Sequence, residues 1–352
     1  LMATGAAVLL FAAAAAYTAR ALQSAPAPPH RRARSETLLP RAAIILAISY
    51  FLIYSYLAIH RHHKLMTWSW DLGIFESLLA NALDGGLFTD YRGPFDHFDP
   101  AVYLYLPFYA AWRDPQMLLA AQTGILALAA WPLYLLARDV AGARPLGALA
   151  AIIYLFHPLL GAANLHDFHA VSLTPLFFFT ALLFARRRRW GLYWIFVLLL
   201  LCVKETEAIL VFATGLYFLS RRRYLHGALS VAAALAWVAA SLWLVIPWIM
   251  GESYRHFRFF GGVAETAQWV VQPEGSPVMM LLRRIAQSAA VLFFTLMPLG
   301  FLPARRWRPF FFLFMPVIGI YLLSNNWPLR TVSGHYGLPV AAAALGAAVF
   351  AM

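Results

Sequence analysis

Residues 170–223 read AVSLTPLFFFTALLFARRRRWGLYWIFVLLLLCVKETEAILVFATGLYFLSRRR. Three apolar runs, near 170–185, 190–203 and 207–220, alternate with short polar breaks. The breaks are the cluster Arg186–Arg189, then Lys204-Glu205-Thr206-Glu207, then Arg221–Arg223. Apolar runs joined by tight charged turns are the pattern of a chain that crosses a bilayer repeatedly, because a helix needs about 17–25 apolar residues to span the hydrocarbon core. Some runs here are shorter than that, which implies broken helices or displaced boundaries.

The same pattern extends in both directions. Further runs lie near 2–19, 42–59, 116–137 and 145–160, and near 225–249, 286–303, 309–323 and 337–352. The expectation is an all-α, polytopic integral membrane protein with about 11 transmembrane helices and short external interfacial helices. No basic stretch precedes the first run, so it reads as a true span rather than a signal peptide. Hydrophobic residues make up 62% of the 352 residues and charged residues 12%, against about 45–50% and about 25% in soluble domains. Mean hydropathy is +0.69. These values exclude a water-soluble enzyme and a disordered chain. The single cysteine, Cys202, excludes an internal disulfide or a zinc-finger framework. No repeat of 20–50 residues is visible. Both ends fall inside apolar sequence, so residues 1–352 read as a single transmembrane domain cut at both ends.

The net charge is +12, but all basic residues except Lys64 and Lys204 are arginines, clustered between apolar runs. That is a membrane-topology signal rather than a nucleic-acid footprint. The clusters around 20–41, 138–144, 186–189, 221–223 and 305–308 occupy every second connection, and the positive-inside rule places them all in the cytoplasm. The parity requires that residues 101–112, bracketed by Pro100 and Pro107, lie along the interface instead of crossing. The segments 60–115, 157–170, 203–207, 250–285 and 324–336 then face outside. Of the acidic residues only Glu36 and Asp139 remain on the cytoplasmic side, and nearly every histidine is external. Acidic residues follow the positive-inside rule weakly, so this asymmetry points to polar chemistry at the external face.

Five groups could carry that chemistry. Trp68-Ser-Trp70-Asp71-Leu-Gly-Ile-Phe-Glu76 follows a span directly; Asp71 and Glu76 diverge on a helix, and either could be an ordinary solvated acid. Asp96-His97-Phe-Asp99-Pro100 precedes an aromatic run and could bind a metal or a phosphate-bound metal, although its aromatics equally suit an interfacial anchor. In Asn164-Leu-His166-Asp167-Phe-His169 the two histidines are at i and i+3, and with Asp167 they form a candidate divalent-metal set; a hydrogen-bonded pair in a wet loop is the alternative. Lys204 and Glu205 lie between apolar runs, where charge is costly and marks a cavity or a pair. Arg330 and His335 share the last external loop, where an arginine could hold a phosphate or contact only lipid. No glycine-rich phosphate loop, GxSxG elbow or HExxH motif is present.

Three of these motifs carry a family resemblance: Asp71-Leu-Gly-Ile-Phe-Glu76, then His97-Phe-Asp99-Pro100-Ala-Val-Tyr-Leu-Tyr-Leu-Pro107, then Asn164-Leu-His166-Asp167-Phe-His169 with Val203-Lys204-Glu205. Over roughly residues 42–340 the chain resembles the bacterial predicted membrane proteins grouped as domain of unknown function 2079. That family is similar to the C-type membrane glycosyltransferases (GT-C fold), which use lipid-linked sugars and carry an acidic residue in the first external loop, at the place Asp71 holds. Their loop often reads Asp-Glu, whereas Leu72 follows Asp71 here.

The resemblance implies a transfer of a sugar from a polyprenyl-phosphate donor to an acceptor at the external, periplasmic face of a bacterial inner membrane. Asp71 would be the catalytic base, and Glu76, His97, Asp99, Lys204, Glu205, Arg330 and His335 would bind substrate. His166, Asp167 and His169 would hold a divalent metal ion if one is used. Membrane lipid and the lipid-linked donor are the expected partners, and nucleic acid is not. A transporter or flippase of an envelope substrate, and a non-catalytic envelope-assembly scaffold, are the alternatives.

The arginine pattern predicts a labelling result. In a Cys202→Ser background, a cysteine at position 187 should react with an impermeant thiol reagent only after the cells are opened, and one at position 84 should react in intact cells. Labelling of position 187 in intact cells would refute the orientation.

Overall fold

The computed structural model describes residues 29–253, 277–324 and 326–352. The expected span near 2–19, the start of the basic cluster around 20–41, and most of the expected external segment 250–285 lie outside the described residues. Helix α1 covers Pro29–His63. After a π-helical turn at Ser69–Gly73 comes α2, Ile74–Leu83, and a two-residue hairpin in which Thr89 pairs with Pro94 and Asp90 with Gly93. A 3₁₀ segment Pro100–Tyr105 runs into α3, Leu106–Ala111. Together these segments are too short to span, as the charge parity requires.

Then follow α4 (Pro115–Leu128), α5 (Ala130–Ala141), α6 (Arg144–Leu155), α7 (Pro158–Asn164), α8 (Thr174–Arg186), α9 (Trp190–Leu201), α10 (Ala208–Ser220), α11 (Tyr224–Ala240) and α12 (Ile246–Met250). The last part of the chain holds α13 (Pro277–Leu296), α14 (Met315–Leu323), α15 (Trp327–Arg330) and α16 (Gly337–Ala351). Local chemistry sets several boundaries. Asp114 accepts from the Gln116 N–H at 2.7 Å with Pro115 in the first turn, a strong helix start. Gly142 at φ +70° ends α5.

Each apolar run expected within the described residues is helical. Among the described residues four stretches are long and apolar enough to cross a bilayer: Leu38–His63, Pro115–Ala141, Tyr224–Met250 and Trp327–Ala351. The pair α6–α7, bent by 47°, makes a fifth if counted as one span, and Ala170–Arg186, Trp190–Leu201 and Pro309–Leu323 are shorter apolar helices. The protein is therefore a membrane-embedded helical bundle.

The bundle has a centre. The best apolar window of Trp327–Ala351 is 83% buried, against 17% for Leu38–His63 and 22% for Tyr224–Met250, so α16 is the axis and α1 and α11 are peripheral. Its small residues, Ala341–Ala344 with Gly346, Ala347 and Ala348, let neighbouring helices approach closely. A Cβ at Gly346 would come within 3.1 Å of Phe178 on α8. On the periphery Ile44, Ile45, Leu52, Leu225, Leu235 and Leu244 are exposed. Apolar side chains exposed in this way suit lipid contact, where hydrocarbon is the solvent.

Two hairpins share one design. His169 and Lys204 are both extended (φ −145°, ψ 138° and φ −168°, ψ 151°), and each is followed by a 3₁₀ turn and a 13-residue helix, α8 or α10. Each helix ends in a Schellman turn. Arg189 N–H donates to Phe184 and Arg188 N–H to Ala185, and Arg223 N–H donates to Phe218 and Arg222 N–H to Leu219. The left-handed position holds Arg188 (φ 57°) or Arg222 (φ 61°) where glycine is usual. Both hairpins start at the polar end of the bundle and turn at the arginine end. This is a structural repetition that the dissimilar sequences conceal.

Helices α10 and α11 meet at glycine contacts. A Cβ at Gly215 would lie 2.8 Å from Val231 Cγ2 and 2.9 Å from Gly227 O. Gly215→Val should therefore destabilise the protein by about 1–3 kcal/mol through overpacking, whereas Gly319→Ala, with nothing within 4 Å, should be silent. Thermal unfolding in detergent would separate the two; equal midpoints would remove the close crossing.

Candidate functional site

The polar residues expected at the external face come from four places in the chain and meet at one end of the bundle. Asp71 sits in the π-helical turn before α2, His166 and His169 in the loop after α7, Lys204 before the 3₁₀ entry to α10, and His335 in the 3₁₀ turn that starts α16. Each lies where the chain leaves one helix and enters the next, the place where backbone polar groups are free to bend around a site.

The centre of the group is a set of three imidazoles. The rings of His169 and His335 stack at 3.6 Å between centroids, and His166 lies 5.6 Å and 5.7 Å from them. One ring nitrogen from each can be chosen so that all three fall within 4.8 Å of one another. Asp71 closes the group: its Oδ1 is 3.4 Å from His169 Nε2 and its Oδ2 is 3.7 Å from His166 Nδ1. Burial opposes ionisation of Asp71. The hydrogen bond and charge of His169, with the charges of His166 and Lys204, outweigh it and hold the carboxyl below its usual range. Three imidazoles and a carboxylate suit a divalent ion of the zinc type. His169 and His335 each also keep a buried Nδ1 without a partner among the described residues.

Asp167 stands apart from the group expected to contain it. Its Oδ2 accepts the Trp68 N–H at 2.9 Å, which ties the segment before Asp71 to the histidine loop. Burial pushes its carboxyl up to about 7. The loop itself is braced from behind. Gln122 Nε2 donates to Asp167 O (2.9 Å), the His169 N–H donates to Gln122 Oε1 (2.9 Å), and Thr123 Oγ1 donates to Asn164 Oδ1 (3.0 Å). His335 thus takes the third position, and Gln122 and Thr123 on α4 were not legible as parts of the site. Their only signal is polarity within an apolar helix.

A second cluster adjoins the first. His97 Nδ1–H donates to Glu205 Oε1 at 2.8 Å and the Phe98 N–H to Glu205 Oε2 at 3.2 Å, joining the Asp96–Pro100 motif to the Lys204–Glu207 turn. Burial opposes the Glu205 charge, but His97 and Lys204 outweigh it and hold the carboxyl down at about 2. Asp99 is buried with an unpartnered Oδ1, and burial raises its carboxyl well above the usual range, with Lys204 opposing. Lys204 has no carboxylate within ion-pair distance among the described residues. Burial works against its charge, and the combined field of Glu205, Tyr336, Asp99 and Glu207 more than restores it.

Lys204 opens into a cavity of about 450 Å³. His97, Glu205, Glu207, His335 and Tyr336 share its polar end. Ile209 and Phe212 of α10, Leu235 and Val238 of α11, and Ile320 of α14 form an apolar remainder. Glu207 is bound by Thr174 Oγ1–H at 2.9 Å. Two expected residues are elsewhere: Glu76 accepts from the Tyr109 hydroxyl, and Arg330 is outside the lining with Arg284 as its charged neighbour.

The model of a predicted membrane protein family, domain of unknown function 2079, matches residues 61–352. The chain belongs to that family. No curated protein and no solved structure matches it. The match begins near the end of α1, so every residue of the two clusters lies within the family region.

Gly334, at φ +57°, precedes His335, and a Cβ there would lie 2.6 Å from His166 Cδ2. Gly334→Ala therefore carries a clash in addition to the strain of about 1 kcal/mol at positive φ. Gly85→Ala carries the strain alone, since nothing lies within 4 Å. The first should lower the thermal midpoint clearly more than the second. Equal effects would mean that the His166 ring does not rest on Gly334.

Proposed function

We propose that this member of the family is a membrane glycosyltransferase of the C-type, with about 11 spans in the whole layout, acting at the external face of a bacterial inner membrane. It would pass a sugar from a polyprenyl-phosphate donor to an acceptor hydroxyl. The observation that carries the reading is the Lys204 ammonium, without a close counter-ion among the described residues, at the polar end of an otherwise apolar groove. A lipid-linked phosphate has this shape: a hydrocarbon tail for α10, α11 and α14, and an anionic head for the lysine.

Asp71 is the base in this reading. It is ionised, partly accessible, and held by two histidines, and Lys204 acts on it electrostatically. As the acceptor oxygen attacks the anomeric carbon, Asp71 takes the hydroxyl proton, the sugar–phosphate bond breaks, and the departing phosphate keeps the electron pair beside Lys204. His97 and Glu205 fix the wall behind the phosphate. A divalent ion held by His166, His169 and His335, with Asp71 beside it, would act as a Lewis acid toward the phosphate or the acceptor oxygen.

A transporter or flippase reading draws support from the bent α6–α7 pair and from the π-helical turns at Ser241–Val245 and Pro309–Phe314. Against it, the two matching hairpins run in the same sense, whereas inverted repeats are the mark of many such proteins.

The experiment is donor binding and sugar transfer with purified protein. Lys204→Met should weaken binding of a polyprenyl-phosphate analogue while the protein stays folded. Asp71→Asn should leave binding near wild type and cut transfer by about 10²–10⁴. Divalent metal content should fall in His166→Ala and His335→Ala and persist in Asp167→Asn. Full turnover in Asp71→Asn, with Asp99→Asn inactive, would move the base to Asp99. Movement of the lipid across vesicles without any transfer would establish the flippase instead.

A further inference from the structure

At the other end of the same helices lies a second cavity, of about 620 Å³. It is separated from the polar cluster by the length of α8 or α10, about 20 Å for 13 residues. Among the described residues six arginines line it, Arg186, Arg221, Arg223, Arg305, Arg306 and Arg308, and no acidic residue does. The nearby Asp139 is already engaged, by Arg138 at 2.8 Å and Arg187 at 2.7 Å.

The positive-inside rule accounts for arginines on this side, but not for their convergence on one concavity from three connections distant in sequence. Like charges so placed repel, and they remain soluble without an anion only if each can turn to water. Arg186, Arg221, Arg305 and Arg306 are exposed, but Arg223 and Arg308 are constrained. Arg223 lies over the rings of Trp190 (5.7 Å) and Phe218 (5.8 Å), and Arg308 lies over Trp307 (5.0 Å). Stacking fixes a guanidinium plane without using its N–H donors; Arg223 also gives one Nη1–H to Ala185 O at 3.4 Å, and its other donors remain for a ligand. The Arg308 Nε–H is buried and has no partner among the described residues. Burial lowers the affinity of Arg223 for its proton, and the charges of Arg188, Arg221 and Arg186 lower it further. Tyr217 and Phe350 complete an aromatic floor.

We infer that this cavity binds a phosphate group, with the guanidinium groups of Arg223 and Arg308 as its preset donors and Arg221, Arg305 and Arg306 closing around it. Planar forks of N–H donors match phosphate oxygens in pairs. The phosphate comes either from the headgroup of an anionic phospholipid, whose chains would follow the exposed apolar face, or from a free phosphate compound in the aqueous phase. The inference does not depend on the glycosyl-transfer reading, which concerns the other end of the bundle.

The test is native mass spectrometry of the 352-residue chain released from detergent in the presence of phosphatidylglycerol or phosphatidylcholine, with and without millimolar inorganic pyrophosphate. Phosphatidylglycerol should be retained preferentially. Arg223→Gln with Arg308→Gln should weaken that retention about tenfold or more, each lost charge-assisted contact being a factor of that order. Arg223→Lys with Arg308→Lys keeps the topology charge and should still lose part of it, because the fork is gone. Retained lipid that pyrophosphate does not displace identifies the headgroup as the source, and pyrophosphate binding lost in the Gln variant identifies a free phosphate compound. Equal retention of both lipids together with no pyrophosphate binding overturns the site, as does wild-type behaviour of the Gln variant. Binding of the polyprenyl-phosphate analogue at Lys204 should be unchanged in these variants, which separates the two ends.

Discussion

Hydrocarbon offers a peptide group no hydrogen bond, and most of this architecture answers that one constraint. Within the bundle the backbone stays helical, and departures from regular α geometry are π-helical turns or occur where chain ends meet polar groups. The ionisable side chains of the site accordingly gather where helices begin or end. His169, Lys204 and His335 each stand at or within a 3₁₀ turn that opens an apolar helix. The extended residue before the turn lets a charged or aromatic head swing toward its neighbours while the following residues descend as helix. The site is thus assembled from helix entries, and no dedicated domain is needed to hold it.

Its two clusters are held differently. The histidine group depends on a brace from α4, because Gln122 bonds both the Asp167 carbonyl and the His169 N–H. The His97–Glu205 pair depends on its own charge complementarity in a buried place, where removing one partner would leave the other costly. Lys204 belongs to neither pair. Its charge is kept by a field from several groups instead of one contact, and this leaves the ammonium accessible from the cavity.

Much of this was legible in the sequence. Apolar run length gave the helical bundle, and the alternation of arginine with acid and histidine gave its two ends. The three motifs named the loops that meet. What sequence spacing could not give was partner choice across the fold. The i, i+3 spacing of His166 and His169 suggested Asp167 as the third member because it lies between them, but Trp68 claims that carboxylate through a bond to the backbone. His335 arrives from far along the chain, and only its preceding glycine hints at a close neighbour. Arg330 was expected in the last external loop as a phosphate ligand or a lipid contact, and it is not among the residues that line the groove. Run counting leaves the number of spans open, since several runs make helices shorter than a bilayer is thick.

The glycine crossing of α10 on α11 has a mechanical consequence for the groove. Interlocked backbones with no room for a Cβ on either side move as one body, so that wall of the groove is stiff. The facing wall is α14, which is entered through a π-helical turn at Pro309–Phe314 with a surplus residue per turn and a looser bonding pattern. Any change in the width of the groove therefore falls to the α14 side and to the far end of α11, where the π-helical turn Ser241–Val245 brings Leu242 to the lining, while the glycine crossing stands still as a frame does around a door.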